Sequence, residues 1–221
     1  MFIGHFAVGL AGKKFAPQAS LAALWGGALF ADILWPILVA IGAEEVRIVP
    51  GNTAYTPLLF VNYPWSHSLL MLCLWGALLA AAYRTKPDGA RIGLVIGLLV
   101  VSHWVLDWIT HIPDMPLWPS GPKLGLGLWE SVTATMVVEI AMFAVGVFLY
   151  VRMTRARDLN GSIGFWALIA LLFGSYLFDS FNDAPPPSVT AIWVSALIAT
   201  AIILLWAGFV DRHRDLRLRN S

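Results

Sequence analysis

The sequence SHWVLDWITH, residues 102–111, closes a long apolar run that begins near Gly93. A helix turns about 100° per residue, so positions 103, 107 and 111 stay on one face with a drift of about 40° at each step. This stripe carries His103, Asp107 and His111. In a helix that crosses a bilayer, each ionisable group costs about 2.5 to 3.5 kcal/mol at the centre, so such groups have partners or a function. The stretch predicts a membrane helix with a buried polar site.

The composition indicates a membrane protein. Of the 221 residues, 59% are hydrophobic and 12% are charged, and the mean hydropathy is +0.76. These values are far from those of a soluble domain, and the apolar runs are too uniform for the alternating strands of a barrel. We therefore expect an all-α, polytopic helical bundle that forms one integral membrane domain over residues 1–221. The lone Cys73 cannot form a disulfide within the chain, and a net charge of +1 gives no reason to expect nucleic acid binding.

The apolar segments predict about six transmembrane helices after a half-length helix at residues 2–12. The six segments are residues 19–42, 66–83, 92–111, 129–151, 163–181 and 188–210. Pro36 is expected to kink the first of them. Residues 43–65 are expected to form a loop or a short re-entrant segment, and residues 112–128 form a second irregular, Pro-rich stretch.

The distribution of Lys and Arg predicts the orientation, because positive residues concentrate on the cytoplasmic side. If six successive helices cross the membrane in alternating directions, twelve of the 14 basic residues fall on one side of it. Arg47 and Lys123 then fall on the opposite side. The twelve are Lys13, Lys14, Arg84, Lys86, Arg91, Arg152, Arg155, Arg157, Arg212, Arg214, Arg217 and Arg219. Both chain ends, including the tail at 211–221, are therefore expected on the cytoplasmic side.

Ionisable residues of several predicted helices lie at similar depths in the membrane. At 1.5 Å per helical residue, six of them lie roughly 12 to 26 Å from the cytoplasmic basic residues. They are His5, Asp32, His67, His103, Asp107 and Glu139, whereas His111 falls near the outer surface. Imidazole and carboxylate ligands suit Zn²⁺ or a similar divalent ion, and a site with an open position can activate water for hydrolysis. The shared depth predicts that these groups meet at one buried site.

Four short motifs in order resemble a known family. They are Gly4-His5, the segment 31–36, Ser66-His67-Ser68 and the pair His103 and Asp107. This order is similar to that of the bacterial inner-membrane metal-dependent hydrolases, also described as LexA-binding hydrolases, over about residues 1–120. A more distant resemblance is to zinc-dependent phospholipase C, which would imply a phosphoester substrate.

The resemblance implies a multi-pass protein of the bacterial inner membrane with a metal-dependent hydrolase site. The family pattern has Pro-Asp-x-Asp-His where this chain has Ala-Asp-Ile-Leu-Trp at 31–35, and His-Arg-Gly where this chain has Asn-Tyr-Pro at 62–64. The chain therefore resembles a divergent member with a smaller set of ligands. Residues 121–210 would then be additional helices outside the region of the motifs.

These observations lead to a hypothesis for the chemistry. A divalent metal, most simply Zn²⁺, is held by residues from four segments, and a carboxylate, Glu139 or Asp107, accepts a proton from the attacking water. The expected metal ligands and their immediate supports are His5, Asp32, His67, His103 and Asp107. Because the site lies in the membrane plane, the expected substrate is a membrane lipid or lipid-linked ester or phosphoester.

Other interpretations of the same residues stay open. The cluster could relay protons or coordinate an ion in a transporter or channel. Paired histidines could bind haem in an electron carrier, or the tail could make the protein a scaffold for a cytoplasmic partner. In purely structural terms, His103 and Asp107 could form a hydrogen-bonded pair at helical i, i+4 spacing, and His67 could cap the helix at 66–83 next to Ser66.

Overall fold

A computed structural model describes residues 1–85, 88–182 and 184–217. Lys86 and Arg219, two of the basic residues assigned to the cytoplasmic side, lie outside these ranges, as does the end of the predicted tail. The helices in the described part are α1 (Ile3–Gly12), α2 (Leu21–Ala28), α3 (Phe30–Ala40), α4 (Pro64–His67), α5 (Leu69–Tyr83), α6 (Gly89–Thr110), α7 (Val132–Met153), α8 (Leu159–Phe181) and α9 (Val189–Arg212). The expected helical membrane bundle is confirmed.

Four of the described helices, α6 to α9, are long and apolar enough to cross a membrane. The pair α2 and α3 makes a fifth span if it is counted as one segment. The sequence predicted about six spans, and the difference lies in α5, which has 15 residues. At 1.5 Å per residue such a helix is about 22 Å long, less than the roughly 30 Å of a hydrocarbon core.

The first predicted span bends at a different residue from the one expected. Its two halves, α2 and α3, meet at Leu29 at an angle of 57°. Pro36 lies within α3 instead of at the break. The break in the span therefore lies at Leu29 and not at Pro36, and it places Asp32 in the first turn of α3. A smaller kink at Pro36 within α3 stays a prediction.

Small antiparallel β-structures occupy the connections. In the region expected to be a loop or re-entrant segment, β1 (Glu45–Ile48) pairs with β2 (Leu58–Asn62). In the second irregular stretch, β3 (Met115–Pro116) pairs with β4 (Lys123–Leu124), and Leu128–Glu130 form a 3₁₀ turn. At the other end of the bundle β5 (Thr154–Ala156) pairs with β6 (Arg214–Leu216).

Close helix packing builds the interior. The helices α5 and α6 approach at Gly76 and Gly97, where a Cβ built on Gly76 would lie 2.8 Å from the carbonyl oxygen of Gly97. Small residues of this kind let membrane helices approach closely. The short helix α1 is enclosed by α2, α6 and α7, and the buried Trp25 of α2 donates a hydrogen bond from Nε1 to the carbonyl of Phe6 at 3.1 Å. This packing places the start of α1 inside the bundle.

Basic residues near the helix ends bind oxygen atoms of neighbouring segments at one end of the bundle. Lys13 Nζ lies 2.9 Å from Asp211 Oδ1, and Arg91 donates from Nε to the carbonyl of Phe15. Arg214 donates from Nε to Thr154 Oγ1 at 3.1 Å. The end of α1, the start of α6 and the ends of α7 and α9 therefore lie on the same side.

Candidate metal centre

The helix α6 carries the residues around which the site is built. His103 and Asp107 are one turn apart and fully buried, and Nε2 of His103 lies 3.0 Å from Oδ2 of Asp107. His111 does not continue this stripe, because α6 ends at Thr110 and His111 has an extended backbone (φ −68°, ψ 149°). The predicted stripe of three residues is therefore correct for two of them and wrong for His111.

The ring of His103 is oriented by the break between α2 and α3. Its Nδ1 lies 2.8 Å from the carbonyl oxygen of Ala28, the last residue of α2. A carbonyl oxygen only accepts hydrogen bonds, so Nδ1 carries the proton. In the neutral ring the lone pair is then on Nε2, so the contact of this atom with Asp107 Oδ2 at 3.0 Å is not a hydrogen bond, and no other hydrogen-bond partner is found among the described residues.

His67 is oriented in the same way by a short chain of hydrogen bonds. Its Nδ1 lies 2.7 Å from Ser66 Oγ, which donates to Glu44 Oε2 at 2.6 Å. Because the serine hydroxyl donates its proton to Glu44, it accepts from His67, and Nε2 of His67 keeps its lone pair. Glu44 Oε1 also accepts the backbone amides of Trp65 and Ser66 at 2.8 and 2.9 Å, which fixes the start of α4.

Asp32 completes a group of ligand-type atoms. Its Oδ1 lies 3.7 Å from Nε2 of His67 and 3.7 Å from Nε2 of His103. These separations are too long for hydrogen bonds. Two ligands about 2.1 Å from one tetrahedral ion lie about 3.4 Å apart, so the observed spacing suits a shared metal ion. Asp107 Oδ2 also lies 3.7 Å from Nε2 of His67.

His5 reaches the same place from α1. Its ring stacks on that of His103 with 3.7 Å between centroids, and its Nε2 lies 3.0 Å from Asp107 Oδ1. The amino group of Met1 donates to the same oxygen at 2.6 Å. Two overlapping groups therefore have metal-ligand spacing, namely His5, His103 and Asp107, and Asp32, His67 and His103. We refer to these five residues, His5, Asp32, His67, His103 and Asp107, as the central cluster.

Glu139 of α7 stands beside the central cluster and belongs to neither group. Its Oε2 accepts the backbone amides of Phe2 and Gly4 at 2.8 and 3.1 Å. The first amides of a helix have no partner within it, so this carboxylate caps α1 and thereby positions His5. Its Oε1 is buried and, among the described residues, has no hydrogen-bond partner.

A second set of buried polar side chains, Tyr63, His111 and Asp114, forms what we call the loop cluster. Asp114 Oδ1 lies 2.9 Å from Nδ1 of His111 and accepts from the hydroxyl of Tyr63 at 2.8 Å. The ring of His111 packs on Trp129 with 4.2 Å between centroids. Burial lowers the pKa of His111, whereas burial and the Asp114 carboxylate raise the pKa of Tyr63 well above its ordinary value.

A cavity of about 180 Å³ with a mixed polar and aromatic lining opens onto the central cluster. Asp32, His67 and Asp107 line it together with the aromatic side chains of Trp35 and Tyr55. The side chain of Asp32 is 41% exposed, whereas those of the other four members of the central cluster are at most 5% exposed. Asp32 is therefore the member that a ligand entering the cavity meets most directly.

A family model described as YdjM inner membrane protein matches residues 1–184. The chain belongs to this family. The match extends beyond the first three predicted helices to α7 and α8 and ends before α9. No curated protein and no solved structure matches the chain. Membership and the apolar helices together identify a multi-pass protein of the inner membrane.

In this YdjM-family chain the five expected ligands do meet, and their metal binding stays a prediction. Sequence reasoning did not find Glu44, Ser66 or Asp114 as partners of the buried histidines. Ser66 is adjacent to His67 and could have been proposed from that position. Glu44 lies 22 residues before Ser66 across the β1–β2 hairpin, and nothing in the local sequence indicates that contact.

Proposed function

We propose that the protein is a membrane-embedded, metal-dependent hydrolase that acts on a lipid-borne ester or phosphoester. One observation carries this proposal: two imidazoles have Nδ1 engaged elsewhere, so their Nε2 lone pairs face the carboxylates of the central cluster. The donor set consists of nitrogen and oxygen atoms, which suits Zn²⁺. When bound, a divalent ion supplies Lewis acidity and a nucleophile from water near neutral pH.

The residues of the chain would have distinct roles. His67 and His103 would hold the ion through Nε2, with Asp32 and Asp107 as carboxylate ligands. His5 would fix Asp107 through its other oxygen. Glu139 would position α1 and, through its unpaired Oε1, accept a proton, and the buried surroundings would exclude bulk water.

We also propose the orientation. The end of the bundle that carries Lys13, Arg91, Arg157 and Arg212 would face the cytoplasm, because positive residues concentrate on that side. The C-terminal tail would then lie in the cytoplasm, and the β1–β2 hairpin would lie on the outer side. α1 would start at the depth of the central cluster and end at the cytoplasmic surface.

Metal analysis of the detergent-purified protein tests the proposal. The wild-type chain should carry bound zinc and hydrolyse a test ester or phosphodiester such as bis-p-nitrophenyl phosphate, and a His103→Ala, Asp107→Ala double variant should lose both. Full zinc content in a folded double variant would overturn the proposal. Zinc uptake by wild-type proteoliposomes without hydrolysis would support the transporter alternative instead.

A further inference from the structure

An apolar cavity of about 420 Å³ lies between α8 and α9 and extends inward to the break between α2 and α3. We call it the α8–α9 cavity. Leu171 and Ser175 line it on α8, and Ala196, Ala199 and Ile203 line it on α9. Its size falls within the range of cavities that hold one small ligand, about 300 to 1,000 Å³.

The inner end of the α8–α9 cavity reaches the central cluster. Asp32 lines both this cavity and the cavity of about 180 Å³ that is lined by His67 and Asp107, and Phe2 and Trp35 also line both. An apolar cavity and a cavity that carries the polar groups of the central cluster therefore meet at one carboxylate. A ligand that fills both would need an apolar chain joined to a polar group.

The position of the cavity in the bundle identifies the source of such a ligand. Both α8 and α9 are candidate membrane spans, and none of the most apolar window of α9 is buried in the protein. The outer side of α9 would thus face lipid acyl chains, and the small side chains of Ala196 and Ala199 leave the space next to them open. In a bilayer, van der Waals contact with a fitting chain is the available stabilisation for an apolar cavity.

We propose that the α8–α9 cavity holds one acyl chain of the membrane lipid whose ester or phosphoester is presented to Asp32, His67 and Asp107. This inference rests on the proposed hydrolase function and assigns its substrate to lipids that can enter sideways from the bilayer. It also gives α8 and α9, which carry no residue of the central cluster, a role in substrate binding.

Photo-crosslinking in vesicles tests this proposal. The purified protein is reconstituted in phosphatidylethanolamine and phosphatidylglycerol that include a phosphatidylglycerol with a diazirine midway along one acyl chain. After irradiation, mass spectrometry should find the label on Leu171, Ser175 and Ile203. Ala199→Phe fills the cavity and should reduce this labelling about tenfold, because overpacking by a ring is unfavourable.

Ala201→Phe is the matched control, because Ala201 is an exposed residue of the same helix that does not line the cavity. It should leave the labelling unchanged. If Ala199→Phe does not fold, Ala196→Leu narrows the same cavity with a smaller change and should also reduce the labelling.

Two results would overturn the proposal. Equal labelling of exposed lipid-facing residues elsewhere, such as Val145 and Phe148 of α7, would show ordinary contact with surrounding lipid. Crosslinks between the α8–α9 cavity and a second copy of the chain would show a protein interface. Zinc analysis of the same samples separates the two proposals: specific labelling without zinc contradicts the metal-dependent hydrolase alone, and zinc without specific labelling contradicts the lipid cavity alone.

Discussion

The central cluster and the loop cluster both bury histidine beside aspartate, but they use the polar atoms differently. In the loop cluster, Asp114 contacts His111 at 2.9 Å and Tyr63 at 2.8 Å, both within hydrogen-bonding distance. In the central cluster, Asp32 Oδ1 stands 3.7 Å from the Nε2 atoms of His67 and His103. The loop cluster is joined by hydrogen bonds, whereas Asp32, His67 and His103 of the central cluster stand apart at a spacing that suits ligands of one metal ion.

This difference in hydrogen bonding matters because the polar atoms lie in the interior of a membrane protein. Polar atoms in a bilayer interior that lack partners are costly, and two carboxylates in one place are more costly still. The amino group of Met1 already pairs with Asp107 at 2.6 Å, and a divalent cation between Asp32, Asp107 and the two imidazoles would reduce the remaining cost. The loop cluster needs no such ion, since its hydroxyl, imidazole and carboxylate already pair with one another.

The largest expected effect comes from replacing a histidine of the central cluster, and the corresponding change in the loop cluster is its control. His67→Ala should weaken zinc binding by more than the roughly 10- to 100-fold that the loss of a supporting residue typically causes. His111→Ala should leave zinc binding unchanged. Competition with a zinc chelator gives both affinities, and an equal loss in both variants would contradict the distinction between the clusters.

The next effect concerns the hydrogen bonds that orient His67. Ser66→Ala breaks the link between His67 Nδ1 and Glu44, so we expect about 10- to 100-fold weaker zinc binding with the fold retained. Glu44→Gln should act in the same direction. Glu45→Gln is the control, because Glu45 is exposed and pairs with Arg47 at 2.6 Å. Unchanged zinc affinity in Ser66→Ala would show that the serine does not orient the ligand.

A smaller effect is expected from the loop cluster, and it should appear in stability instead of metal binding. Tyr63→Phe removes the hydroxyl that donates to the buried carboxylate of Asp114. Loss of a hydrogen bond to a buried charged group costs about 1 to 3 kcal/mol, so thermal unfolding in detergent should occur at a lower temperature. Zinc affinity should stay the same, and a variant that loses zinc without losing stability would reverse our assignment.

The sequence predicts the helices well because their signal is local. Apolar length alone identifies α6 to α9 with ends within a few residues. It could not predict the bend at Leu29, since leucine does not break helices and the partner of the Ala28 carbonyl, His103, lies 75 residues away. Pro36 is a local signal for a kink, but the helix continues through it, as membrane helices can when neighbouring groups satisfy the carbonyl that proline leaves free.

In the candidate site, too, some features have a local sequence signal and others depend on contacts between distant residues. The i, i+4 spacing correctly placed His103 and Asp107 on one face, and depth brought in residues from other helices. An end of α6 close to His111 could have been predicted from Pro113, because proline disfavours helical conformation at the preceding residue, Ile112, and helices usually end at or before that position. The contact of Glu44 with Ser66 depends on how the β1–β2 hairpin folds over α4, and no periodicity in the sequence encodes it.

The smallest expected effect belongs to a third histidine–aspartate pair, which lies at the basic end. His213 Nδ1 is 2.7 Å from Asp158 Oδ2, and Asp158 also accepts the amide of Gly161 at the start of α8. The hydrogen bond from His213 is the largest of the effects that hold the pKa of Asp158 below its ordinary value. A depressed carboxyl pKa stabilises the fold above the unfolded value of about 3.9, and this contribution is lost as the pH falls through the folded pKa.

Exposed pairs contribute little, so Asp158→Asn should leave overall unfolding and zinc binding unchanged. Its effect should be confined to the β5–β6 pairing, where backbone amides of Arg214–Leu216 should exchange hydrogen faster at neutral pH. When exchange is expressed as a protection factor, which corrects for the slower intrinsic exchange in acid, the wild-type chain should lose the same protection as the pH falls through the depressed pKa of Asp158, and the variant should change little further. If Asp158→Asn instead lowered zinc affinity as much as Ser66→Ala, the central cluster would depend on the far end of the bundle, and burial would not be what distinguishes the three pairs.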